Sequence, residues 1–446
     1  MAHSGHRRLG LKENLGAFSL LVLINAFVGA MVGMERTVLP LLAEREFAIA
    51  SRASILGFLV AFGVVKALAN ALAGGAADRW GRRRVLLAGW IAGIPVPLLL
   101  IFAPTWGWVV AANVLLGVNQ GLCWSAAIIM KIDLVGPRNR GLAIGLNEAS
   151  GYLAVSLAAL ASGFLAAHYG LRPLPFVIGI VAALAGLVAS FFTKETRDFA
   201  AMEQSARLES RSGLSASVVL RRVTWSNPSL RAVSQAGLVN NLNDGVSWGL
   251  LPIFFASRAA TLEQVAILGA AYPAVWGLGQ IVAGILSDRY DRKWLITTGM
   301  ALQGIALLAI ALGSRFGPWL AGMVTLGIGT ALVYPTLLGA VADHSGPDWR
   351  ASAIGVYRLW RDLGYAVGAL VAGAAADRVG VPASIALVGV VTMASGIVVA
   401  VSYASPQRHR ASSFHPRFHV PRLPISSGVV RPKDSTPEGN HDTTGG

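Results

Sequence analysis

Twelve apolar stretches, each of about 20 residues or more, run through this chain of 446 residues. They lie at about 15–42, 53–75, 84–103, 108–132, 141–167, 174–193, 232–256, 264–286, 294–313, 317–342, 351–376 and 382–404. Helices of this length span the hydrocarbon core of a bilayer, about 30 Å thick. Lipid offers no water to the backbone, so each stretch must satisfy its own N–H and C=O groups as a helix. Composition agrees, with 13% of residues charged against about 25% in a soluble domain. The expected class is an all-α membrane protein. The first stretch follows Arg7, Arg8 and Lys12. It exceeds the signal-peptide core of about 7–15 residues and is read as a membrane helix.

A repeat divides the chain. The segment GGAADRWGRR (Gly74 to Arg83) returns 210 residues later as GILSDRYDRK (Gly284 to Lys293). The shared frame is G-x-x-x-D-R-x-x-R-[RK], flanked by apolar stretches in both copies. Two further pairs keep the same offset: Gly163 and Gly170 with Gly373 and Gly380, and Gly136, Pro137, Arg140 with Gly346, Pro347, Arg350. The expected organisation is a terminus at 1–13, a six-helix bundle at 14–193, a central loop at 194–231, a second six-helix bundle at 232–404 and a tail at 405–446. The loop's Leu214 to Trp225 reads as an amphipathic surface helix. The tail reads as disordered. Its His409, His415 and His419 lack the regular ligand spacing of a metal site. Cys123, the only cysteine, excludes an internal disulfide and reads as a small buried residue.

Charge sets the expected orientation. The side holding both termini, the central loop and the two repeat loops carries 26 Lys and Arg, and the opposite loops carry 6. Basic loops stay in the cytoplasm, so both termini are expected there. The net charge of +15 is thus a topology signal, with anionic lipid as a secondary partner and no nucleic acid implied.

The duplicated bundles, the central loop and the repeat motif together resemble the major facilitator superfamily over about residues 14–404. Gly74, Asp78, Arg79, Gly81, Arg82 and Arg83 match its loop signature, and the second copy departs at Asp291, where glycine is usual. The resemblance implies a cytoplasmic gate: Gly74 and Gly284 for close helix approach, Gly81 for a tight turn, and Asp78 and Asp288 accepting from a helix N-terminus or pairing with Arg79, Arg82, Arg83, Arg289 and Arg292. Asp133 and Asp343, ending stretches 4 and 10, are expected to join it. The alternative is a solvated loop that only sets topology. Drug-exporting members typically carry an arginine before the Gln120-Gly121 pair, where this chain has Gly117, and a proline within the stretch that here reads Ala158 to Gly163. Both departures weigh against a drug/proton antiporter without excluding efflux.

Apart from Arg84 at the edge of stretch 3, stretches 3, 6, 9 and 12 carry no charge, and the resemblance makes these the peripheral helices. Charges enter stretches 1, 2, 4, 5, 7 and 11, where each costs at least about 2.5–3.5 kcal/mol at mid-bilayer and so faces a cavity or a partner. Lys66, Asp244 and Asp362 each lie 12 residues from a loop marker, about 18 Å deep. Glu148 and Arg358 occupy equivalent positions in the two halves, and Glu35 with Arg36 lies toward the other end of stretch 1. With Arg361, and with Lys131 and Asp133 set aside as lying near the cytoplasmic end of stretch 4, there are four cations and four anions, as paired burial requires. Polar stripes accompany them: Arg358, Arg361, Asp362 and Tyr365; Asn240, Asn241, Asp244 and Trp248; Lys66 and Asn70; Asn113, Gln120 and Trp124; Asn147, Glu148 and Gly151. Such stripes line a solute cavity or glue helices together. Lys66 is expected near Asp362, and Glu148 near Arg358. Asp244, Glu148 and Asp362 are the candidate proton carriers.

The function expected is a secondary transporter, monomeric and in the cell membrane, that moves a small organic solute by alternating access coupled to protons. Arg358, Arg361 and Lys66 leave an anionic or zwitterionic solute open. The alternative is a receptor or assembly factor on the same fold. No phosphate loop, metal-protease motif or catalytic domain marks an enzyme, and no cofactor is implied.

Overall fold

The computed structural model describes residues 9–136, 140–199, 214–346 and 348–405. Pro137, Pro347, the basic start of the chain and the tail with its histidines lie outside these residues. Long helices follow the apolar stretches in order: α1 (Leu15–Arg45, interrupted at Thr37 and Val38), α2 (Gly57–Trp80), α3 (Arg82–Ile101), α4 (Trp106–Val135), α5 (Arg140–Tyr169), α6 (Leu174–Phe191), α7 (Pro228–Ser257), α8 (Leu262–Arg289), α9 (Arg292–Leu312), α10 (Phe316–Asp343), α11 (Arg350–Val379) and α12 (Val381–Ser402). Ten of them are long and apolar enough to cross a membrane. The other two, α7 and α11, are each 30 residues long and carry two of the polar stripes.

Local chemistry places the boundaries. Pro95 supplies no N–H, so α3 breaks at Ile94 before continuing. The two helix-end glycines in register, Gly170 and Gly380, adopt φ of +90° and +85°, a conformation other residues avoid.

Packing joins α1 to α5, α2 to α4, α7 to α11, and α8 to α10, while α9 packs on α10 and α12. The two halves meet along α5 with α8 and α2 with α11. Small residues set the close approaches. A Cβ on Gly29 would sit 2.1 Å from the Gly151 carbonyl oxygen of α5, and one on Gly364 would sit 2.2 Å from the Leu238 oxygen of α7. Without water to expel, van der Waals contact of this kind is what holds membrane helices together. Gly117 belongs to the same class. Its Cβ would lie 2.9 Å from the Phe62 oxygen of α2, so this packing has no room for the arginine of drug-exporting members.

The ends of the molecule differ. Opposite the basic end the halves are closed. Asp377 of α11 accepts from the Ser51 hydroxyl (2.8 Å) and from Arg52 N (2.6 Å) and Ala53 N (3.1 Å) at the short helix before α2. Gly373 lies against Ala53, and its repeat partner Gly163 lies against Ala266 of α8. At the basic end two clefts separate the halves. One, of about 480 Å³, lies between α5 and α8; the other, of about 240 Å³, lies between α2, α4 and α11.

The amphipathic segment of the central loop forms a helix at Ala216–Arg221 and a π-helical turn at Arg222–Ser226. Val219 and Val223 are buried against α7, α10 and α11 residues, and Trp225 is exposed.

Candidate functional site

The buried charges form two groups, one bridging the halves and one within the second half. In the first, Glu148 of α5 accepts from Trp124 Nε1 (2.9 Å), Asn147 Nδ2 (3.0 Å) and the Tyr334 hydroxyl (3.1 Å). Tyr334, on α10, in turn accepts from Arg361 Nη1 (2.6 Å). Arg361 grips Asp362 Oδ1 through Nε (3.0 Å) and Nη2 (2.6 Å), and Asn70 of α2 donates to Asp362 Oδ2 (2.6 Å). Ser125 of α4 closes the chain on Asn70 Oδ1 (2.9 Å). One continuous buried network therefore runs from α5 through α10 and α11 to α2 and α4, crossing between the halves twice. In low dielectric such a network is strong while complete and costly when one member is lost.

In the second group Asp244 of α7 accepts from the Tyr272 hydroxyl of α8 (2.5 Å), which also meets Thr330 of α10 (3.3 Å). A run of ring contacts connects the groups. Trp124, Tyr152, Trp276 and Tyr272 follow at centroid distances of 5.5, 3.6 and 5.7 Å, and Tyr334 lies 5.4 Å from Trp276. This places an aromatic wall between two carboxylates, suited to an organic solute with apolar faces.

Several expectations need correcting. Glu148 does not meet Arg358; Tyr334 stands between it and Arg361, so contact across the halves runs through a hydroxyl. Lys66 makes no ion pair with Asp362, whose oxygens Arg361 and Asn70 already occupy. The Lys66 ammonium lies instead over the rings of Phe62 (5.5 Å) and Tyr365 (4.7 Å). Gln120 does not face a cavity, because its amide donates to the Val28 oxygen of α1 (2.8 Å). Asn240 turns to Gln303 of α9 (3.1 Å) and Asn241. Asn113 donates to Glu35 (3.3 Å). These three amides join helices. Glu35 and Arg36 form a long ion pair of 3.6 Å, and Trp248 stacks on Tyr365 at 5.4 Å.

Five residues of this site escaped the sequence pattern. Lys131, set aside as lying near the helix end, is fully buried and donates to Asn147 (2.5 Å) beside Glu148. Tyr152, Trp276, Tyr272 and Tyr334 looked like ordinary apolar-stretch aromatics. A signal existed for two of them, since Tyr272-Pro273 and Tyr334-Pro335 repeat a Tyr-Pro step inside α8 and α10.

At the basic end the gate residues assemble within each half. Arg82 pairs with Asp78 (3.1 Å) and Asp133 (3.2 Å), and Arg292 pairs with Asp288 (3.8 Å) and Asp343. Asp78 and Asp288 are largely exposed. Of their two expected roles, both take the pairing with arginine. Glu195, just after α6, caps α3 by accepting from Arg82 N (3.0 Å) and Arg83 N (3.2 Å). Thr196 adds a bond to Asp133 (2.7 Å). In the second half Asp291 itself caps α9 through Lys293 N (2.9 Å). This accounts for the departure from glycine there: one half brings the capping carboxylate from another segment over Gly81, and the other carries it on the loop. Gly74 and Gly284 make no close approach, since a Cβ on either would meet nothing within 4 Å. The helix ends they belong to are parted by the two clefts.

Gly81 offers a direct test. Its φ is +95°, and a Cβ would lie 2.6 Å from Glu195 Oε2. Gly81→Ala is expected to cost about 1–3 kcal/mol from backbone strain. A lowered melting temperature in detergent is the readout, and an unchanged one would refute the strain.

Comparison with known proteins follows this geometry. A family model described as Major Facilitator Superfamily matches residues 21–238 and 233–433. Multidrug resistance protein MdtG of Citrobacter koseri is 25% identical over 361 residues, covering 78% of this chain and 84% of the relative. MdtG of Salmonella arizonae is 24% identical over 398 residues, covering 86% and 94%. Among solved structures, a POT family transporter in complex with a thioalcohol-conjugated peptide superposes with a TM-score of 0.70 at 13% identity, covering 88% of this chain and 98% of its own. The human organic anion transporter MFSD10 (TETRAN) superposes at 0.61 and 18% identity, covering 86% and 98%.

Proposed function

Because the chain belongs to the major facilitator superfamily, we propose that it is a proton-coupled secondary transporter that exports a small organic solute by alternating access. Its fold and relatives are those of multi-pass membrane transporters rather than enzymes. Export is supported by the relatives' description as multidrug resistance proteins. In this reading all the long helices cross the bilayer as two six-helix bundles, at 14–193 and 232–404, joined by the 194–231 loop. The protein acts as a monomer in the inner membrane with both termini cytoplasmic, and the clefts at the basic end face the cytoplasm. The protein is then described in its cytoplasm-facing state.

One observation carries the coupling: Glu148 and Asp362, one from each half, share a buried network through Tyr334 and Arg361. A carboxylate accepts from all its neighbours, whereas a protonated carboxyl must donate one bond. Proton loading at Glu148 therefore removes an acceptor from this contact and loosens the halves. Asp244, held by Tyr272 on one oxygen with the other unpartnered, supplies a second proton site nearer the closed end. As the halves rock, Gly74 and Gly284 gain the close contacts they lack here and the gate charges pair across the halves.

The test is flux in proteoliposomes under an imposed pH gradient, using a solute first found by thermal-shift screening. The gradient is expected to drive wild-type flux, and Asp244→Asn is expected to lose at least about tenfold of that component. Flux in the wild type that ignores the gradient would overturn the coupling.

A further inference from the structure

The geometry points to an organic anion as the transported solute, its carboxylate or similar group received by Arg358, Lys66 and Arg36 in turn. This rests on the transporter reading above and deepens it. Each of the four inner carboxylates has at least one donor: Asp362 has Arg361 and Asn70, Glu148 has three groups, Asp244 has Tyr272, and Glu35 has Asn113, with Asp244 Oδ2 and Glu35 Oε1 left without one. Two cations are likewise engaged, Arg361 by Asp362 and Lys131 by Asn147. The remaining three form no side-chain hydrogen bond among the described residues, and Arg36 reaches Glu35 only at 3.6 Å. Arg36 is buried with Nε, Nη1 and Nη2 all lacking hydrogen-bond partners, Arg358 Nε is buried without one, and Lys66 has no ion pair among the described residues.

Adding buried Lys131 also changes the charge balance. Five cations now stand against four carboxylates, so the site is one positive charge in excess before any proton binds. Loading a proton on a carboxyl makes the excess larger. An anion removes it, whereas a cationic solute would deepen it.

The setting of Arg36 specifies more. Its guanidinium carbon lies 4.7 Å from the centroid of Phe62 and 4.5 Å from that of Trp248. Both rings lie against the guanidinium, whose N–H donors lie in its plane, along the edge. Its long pair with Glu35, at 3.6 Å, falls short of a hydrogen bond. A guanidinium whose planar N–H groups have no hydrogen-bond partner is the group that takes a carboxylate bidentately. Lys66 shares the Phe62 ring and lies over Tyr365, which stacks on Trp248. Two cations on three conjoined rings suit an anion attached to a flat, apolar body.

From the basic end, the cleft between α2, α4 and α11 reaches Arg358 and Asn70. Lys66 lies one helical turn from Asn70, toward the closed end, and Arg36 lies beyond it. The acids that face this path are Glu35, Asp244 and Asp362, the first two within electrostatic range of Arg36 and the last two within range of Lys66. They repel the anion once it arrives and so favour its release when one of them is left charged.

The test uses one ring system in three charge states. Purified full-length protein in detergent is titrated calorimetrically with 2-naphthoate, 2-naphthalenemethanol and 2-naphthalenemethylamine. Naphthoate is expected to bind at least tenfold tighter than the other two. Lys66→Gln and Arg358→Gln, both at partly exposed positions, should each weaken it about tenfold, and Lys66→Arg should retain it. Arg36→Gln should abolish binding, but it risks misfolding, so the first two variants decide. Equal or tighter binding of the alcohol or amine, absence of naphthoate binding, or naphthoate binding indifferent to both variants overturns the assignment. Flux of whichever probe binds is then followed in proteoliposomes. Gradient-driven movement of the amine without naphthoate binding sinks the anion and leaves the transporter standing. Naphthoate binding without movement under any gradient does the reverse.

Discussion

Arg361→Met is expected to destabilise the protein by about 3–5 kcal/mol, the cost of leaving a buried carboxylate without its charged partner. Arg361 makes two hydrogen bonds to Asp362 and one to Tyr334. Without it Asp362 keeps only Asn70, and the link between Glu148 and α11 is cut. Replacing both charges should be milder than replacing one. The double variant Arg361→Met with Asp362→Leu is expected to recover most of the lost stability, because no unpaired ion remains in the core. Thermal melting of the two variants beside wild type decides it. If the double variant melts no higher than the single one, the network is not what holds this part of the interface together. Activity should not follow stability here. The double variant lacks an acid that the proposed mechanism uses, and is expected to stay inactive however well it folds.

Glu148→Gln is the second large effect, and it acts on function. The amide keeps the size of the side chain but has no negative charge and cannot exchange a proton. It retains one oxygen for Trp124, Asn147 and Tyr334, where the carboxylate offered two. Flux driven by a pH gradient is expected to fall about a hundredfold, corresponding to about 2.7 kcal/mol of lost driving interaction. Solute binding and exchange of labelled for unlabelled solute at equal pH should survive, since neither requires net proton movement. Loss of both driven flux and exchange would instead show Glu148 to be a binding or structural residue. Tyr334→Phe separates these roles further. It removes the hydroxyl between Glu148 and Arg361 but leaves both charges, and should slow driven flux less than Glu148→Gln does.

Much of this architecture was legible in one dimension. Apolar length and the 210-residue offset both survive in three dimensions because they rest on local physics. A bilayer imposes helix length on every crossing segment, and a duplicated segment keeps its turns. Gly170 and Gly380 still end their helices with nearly the same positive φ. The gate charges were equally legible, because Asp78 and Arg82, or Asp288 and Arg292, meet at i and i+4 on one helix–loop–helix unit. The departure at Asp291 could be seen but not explained, since its counterpart is Glu195, more than a hundred residues from Gly81.

The central site was harder to read. Periodicity identified which residues share a face of a helix, and it picked Glu148, Asp244, Arg361 and Asp362 correctly as buried charges. It said nothing about which face meets which. Gln120, Asn240 and Asn113 have the same helical spacing as Asn70, yet they bond neighbouring helices inside the packed structure while Asn70 reaches Asp362. Lys131 was discounted by counting residues from the helix end, although burial depends on the helices packed around that end.

The sequence by itself determined the class, the helix order, the duplication and the stock of buried charge, because the penalty for a charge or an unbonded peptide in lipid acts on each segment alone. Only the tertiary structure decided which cations are paired and which are free. That depends on the distances between helices, which leave Arg361 clasped by Asp362 and Arg36 beside Phe62 and Trp248 with no hydrogen bond to its N–H groups.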